Sequence, residues 1–562
     1  MSAPVRREAR RLYGEVGDAL ADDLLRVATA FREAHPAPAV PPARRMSERD
    51  ALLITYADAL RRDGEAPLRT LRTWLEGPLA DTVSTVHVLP FHPWSSDDGF
   101  AVKSYDAVDP RYGTWRDVEG LAAHHRLMVD AVVNHASAQG DWFAAYLRGD
   151  APQRTWFRSE APDADVRGVV RPRTTPLLTK FAAHDGDRWV WTTFGPDQVD
   201  LDYRDPTLLR EIVSVLLAYV EHGAQVLRLD AVTYLWKELG TPCAHHPHTH
   251  GLIRLLRAVL EVAAPYVVVL TETNVPHAEN VAYFGSGDDE AQMVYNFALP
   301  PLVLHTMTTG DVGPLRTWAA DLRTPSDATW FLNFLASHDG IGVRAVESIL
   351  PPDAIDRLVE RTLALGGQVG RKRDADGRET PYELNVGYLD ALRTPSVEEP
   401  LEREVARFAA AHAVMMALPG VPALYLHSLL GSRGAPDLAH ATGTPRAINR
   451  AKLDADATLR ELADPTSRRA RILHVLQHLL RTRRSHPAFH PNAPHAIPDA
   501  PPGVLAIRRG DDAPVTAVHE LAGRDARADL PAGRDLLTGE RWQAGPHDLA
   551  PYEVRWIAEA GP

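Results

Sequence analysis

The sequence predicts an α/β protein built on a (β/α)8 barrel of the TIM type. Subdomains are inserted after strands 3 and 7, a helical extension precedes the barrel, and an antiparallel β domain follows it. Three observations predict this. Eight short apolar runs lie between Leu52 and Leu426, most of them joined by amphipathic stretches; parallel strands need helical crossovers, which cover both faces of the sheet, and eight is the number at which such a sheet closes on itself. Two gaps, 136–204 and 340–396, are too long for ordinary crossovers and both leave the C-terminal ends of strands,. After residue 491 the pattern changes to short alternating runs punctuated by Gly, Pro and Asp,.

In chain order, residues 1–47 come first. Leu12, Val16, Leu20, Leu24, Val27 and Phe31 recur at spacings of three and four with charges between them, the stripe of an amphipathic helix. The run His35 to Pro42, four of whose eight residues are proline, stops the helix and makes a stiff connector,. The stripe needs a partner: the body of the protein is the expected one, and a homodimer contact is the other. The barrel, 48–491, takes its strands from Leu52–Tyr56, Val86–Pro90, Leu127–Val133, Val226–Leu229, Val267–Thr271, Met293–Phe297, Phe331–Leu335 and Val421–Leu426. In the tail, 492–562, Gly503–Arg508, Val515–His519 and Tyr552–Ile557 read as antiparallel strands,.

Composition excludes several functions. The 562 residues, 45% hydrophobic and 24% charged, suffice for a large core and more than one domain,. A formal charge of −13 is the wrong sign for a nucleic-acid binder,. The single cysteine, Cys243, forbids an internal disulfide and suits a reducing, cytoplasmic setting,. No apolar run is long enough to span a bilayer, and the charged start does not read as a secretory signal,.

The polar residues gather at the strand ends. Arg228 and Asp230 stand two apart in an apolar run, so both point to one side of the strand,; the pair alone reads equally well as a structural ion pair. Tyr56 and Asp58, Asp97 and Asp98, Asp130 with Asn134 and His135, Glu272, and His338 with Asp339 occupy equivalent positions after other strands. A barrel brings all of these to one rim, the functional face of the fold. So many carboxylates around one mouth repel one another, an arrangement that function explains better than stability does.

Four of these segments, Asp130-Ala-Val-Val-Asn-His135, Leu227-Arg-Leu-Asp-Ala-Val232, the Glu of Leu270-Thr-Glu-Thr273 and Ala336-Ser-His-Asp339, resemble, in order, the short regions that define the α-amylase clan, glycoside hydrolase family 13. The resemblance covers most of the chain from about residue 50 onward. It implies a retaining mechanism, in which two carboxyl groups flank the glycosidic bond: Asp230 as nucleophile, Glu272 as acid and base, Asp339 as stabiliser of the transition state. It further implies that Arg228 keeps Asp230 ionised and that His135 and His338 bond sugar hydroxyls. Flanking segments, among them Ser95-Ser-Asp-Asp-Gly-Phe100, Arg171-Pro-Arg173, Pro381-Tyr-Glu-Leu-Asn385 and Ile448-Asn-Arg450, look like the sucrose phosphorylase subfamily. There Asp97 and Arg450 hold the glucose and Phe100 packs against it, although Phe100 also reads as ordinary core.

The chain departs from plain sucrose phosphorylases at Asn274, where His is usual, and at Glu383, where Gln is common, and it carries the N-terminal extension. With Tyr382 and the segment His427 to Arg433, these features look more like the branch containing glucosylglycerate phosphorylase and sucrose 6'-phosphate phosphorylase. The implied reaction takes 2-O-α-D-glucosyl-D-glycerate and inorganic phosphate to α-glucose 1-phosphate and D-glycerate. Sucrose 6'-phosphate or sucrose phosphorolysis, a retaining α-glucosidase or transglucosidase, and a catalytically silent sugar-binding relative are the rivals. Phosphate needs cationic donors where the leaving group departs, and Arg173 is the expected one. Arg371-Lys-Arg373, before the turn signal Asp374-Ala-Asp-Gly377, reads chiefly as a solvated basic loop,. The run Cys243-Ala-His-His-Pro-His-Thr-His250 offers five metal ligands in no common zinc spacing,; no metal or other cofactor is expected, and His245 and His246 are placed instead near the acceptor.

Overall fold

The computed structural model describes residues 2–38, 40–373 and 378–559. Its centre is a closed barrel of eight parallel strands: β1 (Leu52–Thr55), β2 (Thr85–Val88), β3 (Arg126–Val132), β4 (Ala224–Asp230), β5 (Val268–Thr271), β6 (Met293–Tyr295), β7 (Trp330–Phe334) and β8 (Val421–Tyr425). Each pairs in parallel with its neighbours, and β1 pairs with both β2 and β8, which closes the ring. The strands are rich in Val, Leu, Ile and aromatic residues and almost wholly buried, as expected of a sheet covered inside by side chains and outside by helices. Every apolar run expected to form a barrel strand does so, with ends shifted by a residue or two.

The register positions the site. Arg228 of β4 lies beside Asp130 of β3 and beside Leu270 of β5, so Arg228 and Asp130 stand at one level of the barrel. After β3, residues His135–Ser137 pair antiparallel with Gln198–Asp200, and a three-stranded sheet forms from Ser159–Glu160, Leu178–Ala183 and Gly186–Trp191. After β7, Ile341–Gly342, Gln368–Arg373 and Glu379–Asn385 make an antiparallel sheet, and a helix covers Pro352–Ala364. The expected turn at Asp374–Gly377 lies outside the described residues.

The N-terminal stripe is two helices rather than one, α1 (Ser2–Tyr13) and α2 (Val16–Ala34), broken at Gly14, whose φ of 62° belongs to the left-handed region,. The spacing of four from Leu12 to Val16 hid this break; Val16 is 60% exposed, whereas Leu12, Leu20 and Leu24 are buried. The hairpin packs on α3 (Pro247–Ala263), the helix that follows β4. Gly17 lets the two helices touch, since a Cβ there would stand 2.2 Å from the Ala9 carbonyl oxygen. Glu8, buried, binds Arg254 of α3 at 3.1 Å, and Tyr13 donates to the Tyr203 carbonyl at 2.8 Å.

At the other end, Val504–Arg509, Val515–Glu520 and Val554–Glu559 are the long strands of a six-stranded antiparallel sheet. Arg509, fully buried, ties that sheet to the preceding chain by donating to the Ala417 and His490 carbonyls at 2.7 Å each. Among the described residues no helix is long and apolar enough to cross a membrane.

Candidate active site

The site is assembled from the C-terminal ends of the barrel strands. Its floor is a chain of buried polar groups. His87 Nε2 lies 2.6 Å from Asp130 Oδ2, Asp130 is bonded to Arg228, and Arg228 Nη1 donates to Asp230 Oδ1 at 2.7 Å. These contacts follow from strand parity and register, and they satisfy charges that could not otherwise be buried. At the end of β4 the chain turns sharply through Ala231, whose φ of 52° is unusual for a residue with a Cβ and stores about 1 kcal/mol or more of strain. The turn aims the Ala231 N–H at Glu272 Oε2, 3.1 Å away. Glu272, just past β5, continues the ladder by donating its own N–H to the Leu229 carbonyl. The two carboxylates thus project from adjacent strands into one cavity.

Asp339, past β7, faces them. Its Oδ1 is 2.7 Å from Arg446, 3.4 Å from Arg450 and 3.5 Å from His338. Arg450 also binds Asp97 and Asp98 at 3.0 and 2.9 Å and donates to the His338 carbonyl. Asp97 and Asp98 both have left-handed backbones, φ 52° and 48°, a second strained turn at the rim. Phe100 stacks on His338 with ring centres 5.0 Å apart, and the Phe100 carbonyl oxygen lies 2.9 Å from His135 Nε2.

Together these side chains enclose one narrow cavity at the strand ends. Asp97, Phe100, His135, Arg173, Arg228, Asp230, Glu272, His338, Asp339 and Tyr382 line it. Arg450, the remaining expected residue, lines a larger outer cavity of about 630 Å³ that shares Asp97, Arg173, Phe194, Gln198, Tyr382 and Arg446 with the inner one. Arg173 sits at that junction, its guanidinium 5.5 Å from the Phe194 ring centre and 5.6 Å from that of Tyr382. Among the described residues no carboxylate lies within 4.0 Å of it.

The rim carboxylates expected to repel one another are each matched by a cation, with one exception. Asp58 binds Lys452 and Arg61, Asp97 and Asp98 bind Arg450, Asp130 and Asp230 bind Arg228, and Asp339 binds Arg446. Among the described residues, Glu272 alone has no Lys, Arg or His nitrogen within 4.0 Å. Burial, with the negative charge of Asp230 and Asp339, raises its pKa to about 7, against the pull of Arg228. Burial also raises Asp230, but Arg228 bonds to it directly, so of the two the proton resides on Glu272. Burial opposes ionisation of Asp339 and Asp97 as well; the neighbouring arginines overcome it and hold both below the usual carboxylate range. Burial depresses His338 to about 3, which keeps it neutral.

Some residues escaped the sequence reading. Arg446 lines both cavities yet was overlooked; its signal was its place four residues before Arg450, in the short turn Pro445–Asn449. His87 was legible as the one polar residue in Val86-His-Val88. Gln198, Phe194 and Tyr234, also in the lining, offered no local signal. Conversely, His245 and His246 do not line either cavity. His245 pairs with Glu279 at 3.0 Å, and His246 caps α3, its Nδ1 accepting from the His248 N–H at 3.1 Å. Glu238, His246 and His248 place ligand atoms within 4.8 Å of one another; His246 Nδ1 takes the capping bond and its Nε2 stands 3.4 Å from Glu238 Oε2. Asp58 stands outside the cavity. Arg371 reaches the wall of the outer one, and Lys372 pairs with Glu347 at 3.3 Å.

Three comparisons bear on the chain. Residues 82–343 match the family described as alpha amylase, catalytic domain. A glucosylglycerate phosphorylase from Allomeiothermus silvanus is 44% identical over 552 residues, 98% of this chain and 97% of that protein, and one from Escherichia coli is 43% identical over 91% of this chain and 92% of its own. Among solved structures, the sucrose 6F-phosphate phosphorylase from Thermoanaerobacter thermosaccharolyticum superimposes with a TM-score of 0.75 at 23% identity, covering 92% of this chain and 100% of that one.

Proposed function

The chain belongs to the α-amylase family, in the group that contains the glucosylglycerate phosphorylases, and on that premise we propose that it is a retaining glycoside phosphorylase converting 2-O-α-D-glucosyl-D-glycerate and inorganic phosphate to α-D-glucose 1-phosphate and D-glycerate. In the first displacement an Asp230 carboxylate oxygen attacks the anomeric carbon as the bond to the glycerate oxygen breaks. Glu272 gives its proton to that oxygen, leaving a β-glucosyl ester on Asp230. In the second, a phosphate oxygen attacks the same carbon from the vacated side, Asp230 leaves as a carboxylate, and Glu272 takes the proton that phosphate releases. Two inversions retain the α configuration.

Asp339, held ionised by Arg446 and Arg450, faces the ring as it gains positive charge. Asp97 and Arg450 bind glucose hydroxyls at the rim, His135 and His338 bind them lower down, and Phe100 offers an aromatic face. The observation that carries phosphorolysis over hydrolysis is Arg173, a cation without a carboxylate partner among the described residues, set where the inner cavity meets the outer one. Phosphate and the glycerate carboxylate are both anions that such a guanidinium receives. The sugar phosphate product is charged and membrane-impermeant, so it is of use only in the compartment where it forms, which supports a cytoplasmic setting.

The test is the reverse reaction. α-Glucose 1-phosphate is offered with D-glycerate, glycerol, fructose and fructose 6-phosphate in turn, and released phosphate is measured. D-glycerate is expected to react fastest; an equal rate with no acceptor would reassign the protein as a hydrolase.

A further inference from the structure

Lys237 is a buried cation that takes no part in the two displacements. It follows the turn Val232–Tyr234 after β4 and is 2% exposed. Its ammonium meets three oxygens: Asn134 Oδ1 at 2.9 Å, the Leu201 carbonyl at 3.2 Å and Asp200 Oδ2 at 3.2 Å. Burial lowers its pKa and Asp200 opposes that; three acceptors call for three N–H groups, which only the charged form has. Asp200 and Leu201 belong to the first insertion, and the Thr193 N–H and hydroxyl hold Asp200 in turn at 2.9 and 2.6 Å. Asn134 belongs to the barrel, just past β3. One ammonium therefore pins the insertion to the strand end that carries His135.

The pin has a chemical consequence one residue on. With Oδ1 committed to Lys237, the Asn134 amide turns its NH2 group toward His135 Nδ1, 3.3 Å away. A ring nitrogen facing an NH2 group has to accept, so the imidazole hydrogen sits on Nε2, where the Phe100 carbonyl receives it at 2.9 Å. The Gln198 amide, 3.2 Å from the same nitrogen, then presents its oxygen. Phe100 closes the turn whose Asp97 and Asp98 bind Arg450. With the hydrogen on Nδ1 instead, the Phe100 carbonyl would face a lone pair and the cavity would lose a donor.

We propose that Lys237 is a positioning residue: acting through Asn134, it fixes His135 as the Nε2–H tautomer, so that the ring presents a donor to glucose and to the rim turn at Phe100. The inference rests on the glucose-binding role given above to His135. Methionine at 237 would fill much the same space but leave the Asn134 amide free to turn over, and with it the hydrogen of His135.

The experiment reads the tautomer and the kinetics together. Burial lowers the pKa of His135 against the pull of Asp230 and Asp200, so the ring is neutral at pH 8. In protein labelled with nitrogen-15 histidine, the signals that vanish in H135N identify this ring, and Nε2 is expected to carry its hydrogen. N134D has the same shape and keeps the contact with Lys237, but it turns a carboxylate oxygen toward His135. The hydrogen should move to Nδ1, and kcat/KM for α-glucosyl fluoride should fall about ten- to a hundredfold. K237M should lower the same quantity about tenfold, chiefly through KM for the glucosyl donor, with KM for phosphate within about twofold of wild type. A purely structural defect reduces the active fraction, hence kcat alone, and leaves the hydrogen where it was. If Lys237 acts through His135, the double variant K237M/H135N is no slower than H135N. A hydrogen on Nδ1 in the wild type, full kcat/KM in N134D with Nε2 bare, or losses that multiply in the double variant would overturn the proposal. Should K237M not fold, N134D and the wild-type spectrum decide. Should the wild type release sugar equally well without phosphate, the functional reading fails separately, and the spectrum and the fluoride kinetics still judge Lys237.

Discussion

Replacing Glu272 by glutamine is expected to stabilise the protein and disable it together. In the folded state burial raises this carboxyl from 4.5 to about 7, so between those values the native protein holds a proton that the unfolded chain releases. The native state is therefore favoured below pH 4.5, and that contribution is lost as pH rises to about 7. The shift of 2.5 units caps the effect at about 3 kcal/mol, and the carboxylate tip faces the cavity, which lowers it to about 1–3 kcal/mol. E272Q stays neutral at every pH. Urea unfolding should show it equal to wild type near pH 4 and about 1–3 kcal/mol more stable at pH 8. In kinetics it loses the proton donor, so phosphorolysis of glucosylglycerate falls by about 10²–10⁴, while α-glucosyl fluoride, whose leaving group needs no proton, still glucosylates Asp230. Equal stability at pH 8, or equal losses on the two substrates, would refute the assignment of the proton to Glu272.

Other substitutions test the remaining parts. Arg173→Ala removes charge-assisted bonds of about 1.5–3 kcal/mol, so KM for phosphate should rise about 10- to 100-fold with hydrolysis in the absence of phosphate little changed; a phosphate KM within twofold of wild type would contradict it. Arg228→Gln leaves Asp130 and Asp230 without their shared cation and should cost about 3–5 kcal/mol by urea unfolding, with the acid limb of kcat/KM displaced to higher pH; an unmoved limb would separate Arg228 from Asp230 ionisation. Leu24→Asp places a charge in the fully buried seam between α2 and α3. It should open residues 2–34 to trypsin while leaving kcat/KM within about threefold of wild type; an inactive enzyme would tie the hairpin to the chemistry.

The barrel was readable because its signal is local: each strand is an apolar run, and eight of them with covering helices admit few architectures. The convergence of Asp230, Glu272 and Asp339 on one cavity was readable because strand ends meet whatever the loops between them do. Local signals fail where partners are distant. Arg446 meets Asp339 and Glu383 from far along the chain; its one local hint, a place four residues before Arg450, names neither partner. The break at Gly14 was hidden because the spacing of three and four runs unbroken across it. His245 and His246 were misplaced because a histidine-rich loop after β4 looks like acceptor chemistry, whereas here it caps a helix and binds Glu279.

The clasp between Arg450 and the Asp97–Asp98 turn has a consequence for biosynthesis. The two ends of that clasp are 353 positions apart at their widest, and β8, which begins at Val421, must lie beside β1 before the ring can close. A chain still emerging from the ribosome thus carries Asp230, Glu272 and Asp339 long before the barrel mouth that surrounds them can close. The clasp forms only in the last quarter of translation, and a truncated product ending before Val421 would leave Asp230, Glu272 and Asp339 without the strand that closes the ring around them.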